Sequence, residues 1–267
     1  MHFGIPTQIE ARIIEEKIGR LFSVKKPFSE HLTKWEDNLL PDKYDHNSFE
    51  YSGQPSREEF QMALNYQREL GANFLKLEGD EPLADSFGLE AGITATMVLT
   101  DRDIKWKTND VLIFKTPPIS ELQELEVKHY GSVYGEDFCI RNMARLYDQL
   151  EYHGAYLGNK LVGVCHSYTA DKITCIDGLL VDDNHRKQYV ATSLISHIKE
   201  KYPETILMLH ADIDDTPKDM YLKMGFEIVD KLYEYSCQDI SNQSHSRCTG
   251  GSQLHGLESR ADYGEGI

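Results

Sequence analysis

The sequence predicts an α/β (α+β) protein, a mixed twisted sheet flanked by helices with an N-terminal α+β companion domain. Three observations predict it. The stretch from Cys175 to Phe226 reads as strand, polar loop, helix, strand, helix, which is a βαβ crossover followed by one more helix. An antiparallel meander precedes that crossover, with a hairpin turning at Gly158-Asn159. Farther upstream, residues 56–99 supply a helix and two strands of their own.

The elements follow from local pattern. Ile5, Ile9, Ile13, Ile14, Ile18, Leu21 and Phe22 recur at helical spacing, so residues 1–22 are expected to form a helix. Residues 23–54 are rich in Pro, Asp, Asn and aromatic side chains and keep no period, which predicts irregular structure with short elements. Ser56 with Glu59 is a capping-box pattern, opening a helix that Gly71 stops. Phe74–Leu77, the β-branched run Gly92–Leu99, and Val111–Phe114 read as strands before the Pro117-Pro118 break. Domains are therefore expected at 1–110 and 111–238. Ser120 with Gln123 resembles a second capping box, with a helix through His129 and another from Asp137 to Leu150.

Strands at 155–157, 161–166 and 172–181 make the meander. Val190, Leu194, Ile195 and Ile198 then form the apolar stripe of a helix starting near Gln188. Its N-terminus presents backbone N–H groups beside the end of the preceding strand, a natural seat for phosphate. Ile206–Leu209 is the next strand, Pro217 falls near the first turn of the last helix, and 231–236 closes the fold. Residues 239–267 are poor in aliphatic side chains and are expected to be a disordered tail.

Composition narrows the function. The formal charge of −16 opposes binding to a phosphate backbone, so nucleic acid is not an expected partner, and it suits a cationic amine better than an anion. No apolar run is long enough to span a membrane, and the first residues lack the basic start and apolar centre of a signal peptide, so a cytoplasmic protein without membrane attachment is expected. Five cysteines without CxxC spacing suggest neither a disulfide framework nor a zinc site.

Residues 112–237 resemble the GNAT superfamily of acyl-CoA-dependent N-acyltransferases. IDGLLVDDNHRKQYVATSL is similar to the family's strand and pyrophosphate loop, written Arg/Gln-x-x-Gly-x-Gly/Ala: Arg186 takes the first position, Ala191 the last, and Val181 ends the strand at the family's spacing. DDTPKDMYLKMGF is similar to its Asn-x-x-Ala-x-x-x-Tyr-x-x-x-Gly-Phe signature, with Tyr221, Gly225 and Phe226 in place. Three positions depart: Tyr189 stands where the first Gly is usual, Asp214 for Asn and Pro217 for Ala. Tyr189 matters most, because glycine lets a phosphate approach backbone with no Cβ in the way.

The resemblance implies acetyl-CoA as cosubstrate, no metal, and a small-molecule or peptide amine attacking the thioester directly in a ternary complex. It implies cofactor contacts from Leu179, Leu180 and Val181 to the pantetheine and acetyl carbonyl, from the loop Arg186, Lys187, Gln188, Tyr189, Val190, Ala191 and Thr192 to the pyrophosphate, and from Asp214. Asp177 matches the position where many members carry an acid, as base or water-positioning group; its plainer reading is a solvated strand carboxylate or substrate anchor. Tyr221 matches the acid that protonates the departing thiolate, or is a tyrosine packed between helix and sheet. Tyr130, Tyr134 and Glu136 lie where the family shapes its acceptor site. His210 is a strand-end residue with substrate contact as the alternative; no third ligand at metal spacing accompanies His210 and Asp212. A non-catalytic acyl-CoA-binding or protein-interaction module on the same fold is the rival reading, favoured by Tyr189 and Asp214.

Overall fold

A computed structural model describes residue 14 and residues 20–101, 103–214 and 216–240 of this chain. Of the helix expected at 1–22, Ile14 is helical, residues 20–22 form a turn, and the remaining positions lie outside the described residues, as do Asp215 and the tail beyond 240. The chain divides into two compact units. One is Thr96–Val229; the other combines the described chain before Thr96 with Asp230 onward. Segment 100–110, expected with the N-terminal domain, thus belongs with the C-terminal unit.

In the N-terminal unit, β1 (Val24–Pro27), β2 (Leu32–Glu36) and β3 (Phe49–Tyr51) form an antiparallel meander. Helix α1 (Arg57–Glu69) then crosses to β4 (Phe74–Gly79), which pairs in parallel with β3. Residues 24–51 are thus more regular than their sequence suggests. The strands are too short to establish a period, and β2 buries Lys34, Trp35 and Glu36 in succession instead of alternating. Lys34 tolerates burial because its Nζ donates to the Asn47 carbonyl at 2.6 Å and to Gln67 Oε1 at 3.0 Å. The capping box at Ser56 forms as the sequence predicts, with Glu59 N–H donating to Ser56 Oγ at 3.2 Å and Ser56 N–H to Glu59 Oε2 at 2.8 Å. Leu64, Leu75, Leu77 and Phe49 join one apolar core, into which Phe28 and Tyr66 pack edge to face.

The last residues of β5 (Glu90–Leu99), from Thr96, open the C-terminal unit. Then come β6 (Ile113–Lys115), α2 (Ile119–Tyr134), α3 (Glu136–Leu146), β7 (Glu151–Leu157), β8 (Lys160–Ala170), β9 (Ile173–Val181), α4 (Val190–Lys201), β10 (Ile206–Asp212) and α5 (Thr216–Lys223). Strand β11 (Glu227–Gln238) returns to pair antiparallel with β4. The strand order is β5-β10-β9-β8-β7-β6, with β9 and β10 parallel and the meander antiparallel. This mixed sheet flanked by helices is the expected fold class. The second capping box does not form: Pro118 is the N-cap of α2, without a side-chain cap, and Ser120 sits inside the first turn. The next helix stops at Leu146, earlier than expected.

The stripe on α4 is buried as its spacing predicts, with Val190, Leu194, Ile195 and Ile198 at most 3% exposed. Each such side chain contributes about 1.5–3 kcal/mol when removed from water. The helix sits directly on β8 at Gly163, where an added Cβ would lie 2.6 Å from Val190 Cγ1. Among the described residues no helix is long and apolar enough to cross a membrane.

Candidate cofactor and catalytic site

The parallel ladder between β9 and β10 runs from Ile173↔Ile206 to Ile176↔Leu209 and ends there. Residues 177–181 continue β9, still paired with β8 as far as Val181↔Gly163, while residues 210–212 continue β10. The β9–β10 ladder thus stops short of both strand ends, with Leu179, Leu180 and Val181 on β9 beyond it. A turn at Asp183–His185 then delivers the chain to α4.

That turn is anchored by Asp182, a residue the sequence reading treated only as part of a polar loop. It is 3% exposed; its Oδ2 accepts from Lys128 Nζ at 2.6 Å and its Oδ1 from the Asn184 N–H at 3.0 Å. Desolvation opposes its ionisation, but these donors and His185 outweigh it and hold the carboxyl well below the usual range. Arg186 is committed through Nη2 to Asp183 Oδ1 at 2.6 Å, while its Nε is buried without a partner. Tyr189 is the N-cap of α4 and lies in the left-handed region, φ 61°, as does Lys187 at φ 59°. Gln188 and Lys187 are exposed; Val190 and Ala191 are buried; Thr192 is half-buried.

Among the described helices, α4 is the one whose first turn contains no acidic residue, and no side chain caps it. An open helix N-terminus with an orphaned guanidinium nitrogen nearby fits a phosphate-bearing group.

The catalytic candidates lie on neighbouring strands. Asp177 on β9 stands directly across from His166 on β8, with Oδ2 3.6 Å from Nε2, and His166 stands across from Tyr152 on β7, their rings 5.4 Å apart. The pairing of β8 with β9 shifts register between Val164 and His166, the bulge that brings His166 opposite Asp177. Gly178 follows in the left-handed region, φ 59°, and a Cβ there would lie 2.6 Å from His166 Cε1.

The Asp177 carboxylate is half-exposed. Desolvation opposes its ionisation, but the close imidazole of His166 and its charge, the charge of His210 and the Gly178 N–H outweigh it and hold the group well below the usual carboxylate range. Asp177 is thus held in its ionised form and is a weaker proton acceptor than an ordinary carboxylate. Burial, then the charges of Glu126 and Asp177, push the Tyr152 phenol up, and its Oη is buried without a hydrogen-bond partner among the described residues.

The sequence reading missed His166 and Tyr152. The signal was present in the meander, since counting back across the β8–β9 turn reaches His166, but the bulge hides its register.

Tyr221 on α5 is 6% exposed and its ring meets Phe226 at 5.8 Å. His210 is half-buried just past the end of the β9–β10 ladder. Asp214 is exposed, with its N–H donating to Asp212 Oδ1 at 2.8 Å. Tyr130 and Tyr134 neighbour each other on α2, ring centroids 6.1 Å apart, and Glu136 opens α3. Cys165 is fully buried, and desolvation followed by the charge of Asp177 pushes its thiol up, so it is unsuited to carry an acyl group. Among the described residues no His, Cys, Asp and Glu group has the arrangement of a metal site.

A β9–β10 ladder that ends early and feeds an uncapped helix N-terminus is an arrangement that can seat a phosphate-bearing group. Residues 119–226 match the model of the acetyltransferase (GNAT) family. No curated protein matches the sequence. Similar solved structures include a functionally unknown conserved protein from Staphylococcus epidermidis, at 18% identity and TM-score 0.67 over 81% of this chain and 94% of that one. A GCN5-related N-acetyltransferase from Kribbella flavida aligns at 14% identity and TM-score 0.61, over 86% and 96%. A tandem GNAT protein from the clavulanic acid biosynthesis pathway aligns at 14% identity and TM-score 0.51, over 80% and 79%. At these identities the likeness is one of fold.

Proposed function

We propose that the chain is an acetyl-CoA-dependent N-acetyltransferase acting on a primary amine of a small molecule or peptide. The observation that carries this reading is the end of the β9–β10 ladder at Ile176↔Leu209 beside the uncapped N-terminus of α4. Backbone of β9 beyond that point can pair with the pantetheine, and the first-turn N–H groups of α4 can hold the pyrophosphate.

The acceptor ammonium first gives a proton to His166, which passes it to solvent, and the neutral nitrogen then attacks the thioester carbonyl carbon; the C–N bond forms and the C–S bond breaks. Tyr221 gives its proton to the departing thiolate, and the second proton shed by the new amide nitrogen returns the phenol to its neutral form. Asp177 then acts as the positioning residue that holds the resulting imidazolium, in place of the direct base role expected from its sequence position. Tyr130, Tyr134, Glu136 and His210 are assigned to the acceptor side.

The reading is tested by calorimetry with acetyl-CoA and by thiol release across a panel of primary amines. Binding in the micromolar range with amine-dependent CoA release is expected; absence of binding at millimolar cofactor overturns it, and binding without release with any amine favours the non-catalytic module. Tyr221→Phe is expected to lower kcat about a hundredfold with little change in CoA affinity. Unchanged turnover would remove Tyr221 as the acid.

A further inference from the structure

Segment 104–110 precedes the family-matched stretch 119–226, yet it is bound to the cofactor loop of that stretch. Asn109 donates through Nδ2 to the Gln188 carbonyl at 3.1 Å and through its N–H to Ser193 Oγ at 2.9 Å, and Ser193 donates on to the Tyr189 carbonyl at 2.7 Å. Trp106 Nε1 donates to the Met224 carbonyl at 2.9 Å, and Lys199 Nζ covers the Trp106 ring at 4.5 Å. Between these two anchors lies Lys107, whose Nζ is 4.5 Å from the centroid of the Tyr189 ring.

Charge decides what this placement does. Arg186, the cation of the family pattern, is balanced by Asp183 at 2.6 Å. Among the described residues no carboxylate pairs with Lys107, and contact with an aromatic face leaves ammonium protons available to another acceptor. Tyr189, standing where the family pattern has glycine, thus carries an uncompensated cation at the N-terminus of α4.

We infer that Lys107, held on the Tyr189 ring, is the cation that binds the cofactor diphosphate in this chain, with Tyr189 as its positioning residue. The inference rests on the acyl-CoA reading above. It also assigns a function to the tyrosine that otherwise counts against that reading.

Calorimetry on the full chain with CoA and with 3′-dephospho-CoA, each at two salt concentrations, tests it. Lys107→Gln is expected to weaken both ligands about tenfold, because one charge-assisted hydrogen bond is lost, and to flatten the salt dependence of binding. Lys107→Arg is expected to recover most of the affinity, and Tyr189→Leu, which removes the aromatic face beneath the ammonium, to weaken both ligands as Lys107→Gln does. Unchanged affinity in Lys107→Gln overturns the inference while leaving the acyl-CoA reading standing. A loss confined to CoA overturns it too, by moving the contact to the 3′-phosphate. A loss with unaltered salt dependence that arginine does not restore marks a merely structural role and also overturns it. Failure of the wild type to bind either ligand overturns the acyl-CoA reading and the inference together.

Discussion

Tyr189 occupies a left-handed backbone position, φ 61°, two residues after Lys187 at φ 59°. A residue with a Cβ loses about 1 kcal/mol or more in that region, and the loss persists only where surrounding contacts over-determine the conformation. Asn109, Ser193 and Lys107 supply those contacts here. Tyr189→Val, which places a β-branched side chain at positive φ, is expected to be about 1–2 kcal/mol less stable than Tyr189→Gly in urea melts. Equal stability of the two variants would mean that the loop relaxes to another conformation. The departure from glycine was visible in the sequence; the conformation and the lysine above the ring were not, because they depend on a segment far away along the chain.

At the scale of elements, β8, β9 and α4 place the site, and close backbone approach is what aligns them. Gly163 lets α4 rest on β8: a Cβ would lie 2.6 Å from Val190 Cγ1 and 3.3 Å from the Leu180 carbonyl oxygen, so Val190 at the start of α4 would have to shift. Gly163→Ala is expected to cost about 1–3 kcal/mol and, on the proposed acyl-CoA reading, to raise the KM for acetyl-CoA severalfold, since the shift falls on the first turn of α4. Thermal melts and initial-rate kinetics check it; a change in kcat alone would mean that the helix had not moved. The stripe on α4 was legible because its period survives in one segment. The facing of His166 and Asp177 was not, because a bulge sets the register between two strands, and a one-residue slip reverses which side chains share a face.

At the scale of the whole molecule, each unit contains a three-strand meander followed by a helical crossover to a parallel strand, β1-β2-β3-α1-β4 in one and β7-β8-β9-α4-β10 in the other. The crossover helices differ at their N-termini. Helix α1 is closed by its own capping box and carries Glu58 and Glu59 in its first turn, which repel phosphate, whereas α4 is open. This supports reading the N-terminal unit as a companion domain whose crossover helix offers no phosphate seat. That unit also buries Lys34, whose amine desolvation pushes down to about 7.

The folded lysine therefore loses its proton above about pH 7, while the unfolded chain keeps it up to about pH 10.4. Between those values the unfolded state binds more protons, so stability is expected to rise with pH and to fall as pH drops toward 7. Urea melts at pH 7 and 9.5 check this, with Lys34→Met as the variant in which the rise disappears. A wild-type slope equal to that of the variant would show that Lys34 titrates normally in the fold.

The sequence by itself determined the crossover, the meander, the GNAT resemblance and the loop at Arg186 to Thr192, because each rests on periodicity or spacing within one continuous segment. Only the tertiary structure decided where the β9–β10 pairing ends, that His166 faces Asp177, and that Lys107 lies over Tyr189. The physical reason is common to all three. Register, ion pairing and stacking are relations between segments, fixed by how the strands and helices pack, and no local pattern of residue types encodes them.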